Sequence, residues 1–190
     1  MPQLVLMLEE PSMAAFLDGL LPRIFPGWQP GVEFRCIPHE GKSHLEKSLP
    51  KKLKAWPFKQ DRFVVVRDND GADCKQIKQR LQAICDAAAR PTTLIRIACQ
   101  ELEAWYLGDL SAICKAFGVS ADTQPNRKRY RNPDRLSQPS KEVKQLAPSF
   151  QKIAGARSMA AQLDLQQSGS ESFNQFVKGV RRTVTHLGSE

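Results

Sequence analysis

The sequence predicts an α/β fold: a mostly parallel four-stranded sheet flanked by helices, with a basic, mainly helical extension at its C-terminal side. Three observations carry this. Short, wholly apolar runs recur along the first 117 residues, as expected of strands buried on both faces. Between them lie stretches whose apolar residues fall at helical spacing, and such alternation builds parallel sheets with helices on both sides. Third, charge is unevenly divided: residues 1–110 carry 15 basic and 14 acidic side chains, residues 111–190 carry 13 and 6. The predicted division is therefore an α/β part over residues 1–117 and a basic extension over 118–190.

The elements follow in order. Leu4 to Leu8 is the first apolar run. Ser12 can cap a helix carrying Met13, Phe16, Leu17, Leu20, Leu21 and Ile24, with Pro22 and Pro26 bringing it to an end. A second strand is predicted at residues 32–37. Residues 42–59 keep an apolar face through Leu45, Leu49, Leu53 and Trp56, and the interior Pro50 predicts a break into two short helices. The run at 63–66 is the third strand. Asp73 can cap the next helix, whose stripe is Cys74, Ile77, Leu81, Ile84, Cys85 and Ala88. Residues 92–99 read as the fourth strand and 102–117 as one further helix. Beyond Gly118, residues 122–149 are rich in Pro, Asn, Gln and basic side chains and read as irregular. Helices are expected at 149–161 and 172–187, joined by an exposed loop at 166–172.

Composition excludes several classes. The net charge is +8, with 41% hydrophobic and 25% charged residues, which is ordinary for a globular chain and favours a polyanionic partner. Five cysteines with no CxxC pair argue against a disulfide framework and a zinc knuckle, and they read as small buried hydrophobes. No apolar run is long enough for a membrane span, so a cytoplasmic protein with no membrane partner is expected. There is no P-loop, no GxGxxG and no Ser-His-Asp order, which removes an intrinsic ATPase and a dinucleotide enzyme.

Three of the four strands run into acids. The first ends in Glu9 and Glu10, the third in Asp68, Asn69, Asp70, Gly71, Ala72 and Asp73, and the fourth leads to Glu101 and Glu103. Parallel strands share one carboxyl edge, so these acids should converge, at an edge where ligands of such folds bind. Converging carboxylates repel, and hard oxygen donors suit Mg²⁺ or Mn²⁺. Taken singly, Asp73 reads as a helix cap, Asp70-Gly71 as a turn and Glu10 as a first-turn acid; the set Glu9, Asp68 and Asp70 reads as metal ligands. On the same rim, His39 is a candidate ligand or general acid and Lys42 a phosphate contact, whereas His44 reads as a surface histidine. Lys51, Lys52, Lys54 and Lys59 read as a solvated face. Arg127, Lys128, Arg129 and Arg131 surround Tyr130, a basic run with an aromatic that can stack on a base, and Lys152 and Arg157 can reach back toward the acids.

A glutamate after the first strand and Asp-x-Asp after the third resemble the Toprim domain of topoisomerases, primases and overcoming-lysogenisation-defect nucleases. More narrowly, LEEPSMAAFLDGLLPRIFP, CIPHEGKSHLEKSLPKKLKAW, FVVVRDNDGADC, RIACQELEAWYLGDL and QKIAGAR resemble the Toprim-like domain-of-unknown-function 4276 family, over most of the chain. The resemblance implies a Toprim-like fold and a Mg²⁺- or Mn²⁺-dependent phosphodiester hydrolase. It implies ligands at Glu9 (Glu10 if the register shifts by one), Asp68 and Asp70, with Glu101 or Glu103 completing a second site. It also implies an ATPase partner and a role in defence against foreign DNA. Toprim domains place Gly where this chain has Glu10, and no topoisomerase tyrosine motif is present. The expected function is a nuclease acting on DNA or RNA; the alternative is a non-catalytic, nucleic-acid-binding partner of an ATPase.

Overall fold

The computed structural model describes residues 1–120 and 127–187. Four strands, β1 (Leu4–Leu8), β2 (Phe34–Pro38), β3 (Arg62–Asp68) and β4 (Leu94–Ala98), form one sheet in the order β2-β1-β3-β4. Every pairing is parallel, so the mostly parallel sheet of the sequence reading is wholly so.

Successive side chains of a strand face opposite sides of a sheet. Leu4, Leu6 and Leu8 of β1 and Val64 and Val66 of β3 join one apolar cluster, while Val5, Met7, Phe63 and Val65 join another. The second cluster is covered by α2 (Lys42–Ala55) and α3 (Cys74–Ala87), through Leu45, Leu49, Leu53, Ile77 and Leu81. The first is covered by α1 (Pro11–Ile24), α4 (Glu103–Leu107), α5 (Leu110–Phe117), α6 (Pro139–Leu146), α7 (Lys152–Gln162) and α8 (Glu171–Thr185). Its buried members run from Leu4 through Phe16 and Trp105 to Met159 and Phe176, so residues on both sides of Gly118 share one core.

Several local expectations are corrected. The N-cap of α1 is Glu10 rather than Ser12, and the helix starts on Pro11, whose fixed φ suits the first helical position. Pro22 lies within α1 and Pro50 within α2, which runs unbroken because its leucine stripe is buried against the sheet. The helix expected at 102–117 divides at Gly108-Asp109, where the Asp109 side chain accepts from Ala112 N and starts α5. The irregular stretch holds α6, opened by Pro139 and carrying Glu142 in its first turn. The loop at 166–172 is not uniformly exposed: Ser170 and Ser172 are buried, and both hydroxyls donate to Asp134 Oδ1, at 2.7 and 3.1 Å. Among the cysteines only Cys85 is buried, and the other four are half-buried. No helix among the described residues is long and apolar enough to cross a membrane.

Candidate active site

With strand order β2-β1-β3-β4, chain connections leave β1 in one direction and reach β3 in the other. The crevice beyond the carboxyl ends of β1 and β3 is the switch point where such sheets bind ligands. Glu9 and Glu10 stand at the end of β1 and Asp68 closes β3. Their backbones are continuous with the ladder, since Glu9 N donates to Val66 O at 3.1 Å. The β2–α2 turn hangs from the same point: His39 N donates to Leu8 O and Gly41 N to Glu9 O, both at 2.9 Å. Gly41 has φ of 90°, a left-handed conformation that glycine adopts without strain.

The sheet therefore brings together Glu9, Glu10, Asp68, Asp70 and Glu103: the charges of this set raise the protonation of Glu9, Asp68 and Glu103. Glu9 Oε2 accepts Asp68 N–H at 2.9 Å and lies 3.8 Å from the buried Arg67 guanidinium. Burial pushes the Glu9 carboxyl above its ordinary value, and the Asp68 amide and Arg67 partly oppose it. Asp68 is pushed further, first by burial and then by Glu9, Glu103, Glu10 and Asp70. Burial raises Glu103 to about 7. Asp68 Oδ1 and the Tyr106 hydroxyl are both buried with no hydrogen-bond partner.

Two lysines close the rim. Lys42 Nζ donates to Asp70 Oδ2 at 2.9 Å, and Lys152 Nζ, from α7, donates to Glu10 Oε2 at 2.6 Å. Burial works against the Lys152 charge, yet the bond to Glu10, with Glu103 and Asp68 nearby, holds that ammonium above its ordinary range. Among the described residues no three His, Cys, Asp or Glu side chains already stand close enough to hold one metal ion.

Other candidates fall elsewhere. Asp73 caps α3, accepting from Lys75 N at 2.7 Å and Gln76 N at 3.3 Å, and Glu101 accepts Ser140 N at 2.7 Å at the start of α6. His39 is buried behind the rim. Its Nδ1 bonds Leu8 O at 2.8 Å and its Nε2 meets Lys52 Nζ at 2.9 Å, which fits a neutral ring donating from Nδ1. Burial first, then Lys52 and His44, push its pKa below the ordinary histidine value. Lys52 is thus turned inward to His39, unlike the exposed Lys51, Lys54 and Lys59. His44 is half exposed and edges onto the His39 ring.

In the basic run, the Tyr130 ring is buried and its hydroxyl donates to Glu142 Oε2 at 3.0 Å, so no face is open for stacking on a base. Arg129 pairs with the same Glu142. Lys128 and Arg131 are exposed, and the Arg127 side chain lies outside the described residues. Arg157 is exposed on α7 but sits five residues past Lys152, about 140° around the helix. Among the described residues of the basic C-terminal set, only Lys152 meets the acid cluster, which Lys42 meets from the N-terminal half of the chain.

Four residues that the sequence reading passed over complete the site. Arg67 donates from Nε to Asp68 O at 2.9 Å and from Nη1 to Glu46 Oε1 at 2.5 Å, and Arg80 from α3 meets the same Glu46 oxygen at 2.6 Å. A lone arginine between an apolar run and an aspartate was the available signal. Tyr106 is the fourth. Its hydroxyl is buried unpaired, a state that costs about 1–3 kcal/mol. Tyr106→Phe is therefore expected to stabilise the metal-free chain by about 1 kcal/mol in urea unfolding. A destabilised variant would show that the hydroxyl is satisfied.

Fold and site together define an α/β protein whose parallel sheet gathers carboxylates at its switch point. The chain belongs to the DUF4276 family, a domain of unknown function, whose profile matches residues 8–181. Its fold is similar to that of the C-terminal region of the Xanthomonas campestris pv. campestris OLD protein, at a TM-score of 0.52 and 10% identity. That likeness covers 97% of this chain and 94% of the other, and at this identity it shows shared fold alone. Nothing among the curated proteins matches the chain.

Proposed function

We propose that the chain is a Toprim-like, divalent-metal-dependent phosphodiester hydrolase, a nuclease acting on DNA or RNA. The observation that carries this reading is Asp68: an acid buried to 6% exposure, with Oδ1 unpartnered, among four other carboxylates at the sheet's switch point. An orphaned hard oxygen on a carboxyl that burial and its neighbouring acids push toward the protonated form is the chemistry that Mg²⁺ or Mn²⁺ relieves. Glu9, Asp68 and Asp70, with Glu10 and Glu103, are the residues to hold it. Bound there, the ion supplies Lewis-acid polarisation of a phosphoryl group and of an attacking water.

The protein's own groups do the rest. Glu9 Oε2 is held by the Asp68 amide, which leaves Oε1 to accept a proton. Lys42 and Lys152, which here pair with Asp70 and Glu10, are the groups that would bind phosphate oxygens at the rim. Nucleic acid then lies across the rim, gripped through its backbone by the lysines and the basic C-terminal half. The Toprim-like motif supports this reading, the fold shared with the OLD C-terminal region is compatible with it, and the family resemblance extends it to a role beside an ATPase in defence against foreign DNA.

A second reading draws on the same lysines. Glu10 and Asp70 are already neutralised by Lys152 and Lys42, as a site that never loads metal would be. The chain would then be a non-catalytic nucleic-acid-binding partner of an ATPase. Calorimetry with Mn²⁺ and cleavage of plasmid and single-stranded DNA and RNA separate the two. Wild type is expected to bind Mn²⁺ and cut, and Asp68→Asn to do neither. Equal cutting by both, or no Mn²⁺ heat with wild type, overturns the nuclease reading.

A further inference from the structure

Away from the acid cluster, two thiols face each other behind the Asp-x-Asp loop. Cys74 is the first residue of α3 and Cys99 follows the last residue of β4, and both are half-buried free cysteines. Cys74 lies near enough to Cys99 to help keep that thiol protonated. Both line one cavity of about 320 Å³, together with Lys75, Lys78 and Arg96. The cavity also holds two carboxylates: Asp134, which accepts from Ser170 and Ser172 and lies on the Cys99 side, and Glu171, which accepts from Gln175 at 2.7 Å. Three cations thus face two carboxylates, with Lys75 and Lys78 on the Cys74 helix and Asp134 acting on Cys99.

The thiols also bracket a strained piece of backbone. Asp70 and Gln100 are non-glycine residues with φ of 48° and 65°. Asp70 N donates to Gln100 O at 3.1 Å, and Gln100 N donates to the Asn69 side chain. Two loops are thus tied side by side, one carrying Asp70, with a cysteine on each.

We propose that Cys74 and Cys99 form a redox modification site, closed to an intrachain disulfide by a small anionic disulfide of the glutathione class. The Cys74 thiolate attacks one sulfur of the small disulfide, forming a mixed disulfide and expelling one thiolate. Cys99 then attacks the Cys74 sulfur and expels the second. The protein pair loses two electrons and two protons, and the small disulfide gains both as two free thiols. Lysines 75 and 78 draw the anionic reagent to Cys74, whereas burial pushes the Cys99 thiol up to about 12, so Cys74 reacts first and ring closure is the slower step. The bridge adds a covalent tie between the Asp70 loop and the end of β4.

The test uses the full chain and glutathione disulfide, read by peptide mapping and intact mass. The expected result is loss of two hydrogens, a Cys74–Cys99 cross-linked peptide, reversal by dithiothreitol, and slowed amide exchange over residues 69–73. Cys99→Ser is expected to stop at the mixed disulfide on Cys74. A wild-type end product that stays a mixed disulfide, a link involving Cys36, Cys85 or Cys114, or no reaction overturns the proposal. Because the readout is mass, the result does not depend on nuclease activity.

Discussion

Glu103→Gln is expected to make the metal-free chain more stable at about pH 8, by about 3 kcal/mol, and to leave it unchanged below about pH 4. Burial raises Glu103 from 4.5 to about 7 in the folded chain. Between those values the folded state keeps a proton that the unfolded state has lost, so wild-type stability falls as pH rises through that window. Each pH unit is worth about 1.4 kcal/mol, which sets the ceiling of about 3. Glutamine stays neutral throughout and forgoes the loss. Urea unfolding at a series of pH values measures this, and adding Mn²⁺ should shrink the variant's advantage if the ion neutralises the cluster. Parallel profiles for the two proteins would mean that Glu103 titrates normally.

Arg67→Met is expected to act in the opposite direction, costing about 3–5 kcal/mol. The arginine is 2% exposed and holds Glu46, the Asp68 carbonyl and the flank of Glu9. Methionine fills similar space but leaves Glu9 without its neighbouring cation and Glu46 with only the exposed Arg80. Removing the anchor as well, in Arg67→Met with Glu46→Leu, replaces polar by apolar packing between β3, α2 and α3. Such linked substitutions recover part of the loss, and a coupling energy of about 1–3 kcal/mol is expected from the double-mutant cycle. Strict additivity would show that the Arg67–Glu46 pair carries no net interaction.

Much of the frame was legible because it rests on local patterns. The apolar runs at 4–8 and 63–66 announced β1 and β3, the Asp73 cap announced α3, and three strands ending in acids announced the convergence at one rim. What was hidden depends on partners distant in sequence. Pro50 forecasts a break, but buried Leu45, Leu49 and Leu53 hold α2 together across it. His39 looked like a rim ligand, and only the approach of Lys52 from α2 and of the Leu8 carbonyl shows that both ring nitrogens are taken. Tyr130 looked available for stacking until α6 supplied Glu142. The α6 helix itself spans eight residues, too few for its period to stand out, although Pro139 and Glu142 are ordinary first-turn residues.

The pairing of Lys152 with Glu10 spans 142 positions of sequence, whereas the Asp68 amide reaches Glu9 across 59. Synthesis proceeds from the N-terminus, so the acids of β1 and β3 can meet on the ribosome long before α7 exists. Through that interval the strand ends carry crowded carboxylates with no lysine from α7 to offset them, and α1 waits for the helix whose Ala160 its Gly19 will touch. The late arrival of α7 both buries the exposed flank of α1 and neutralises the rim in one event. The sheet can form early, but its working edge becomes complete only when the C-terminal third of the chain has folded back over the first helix.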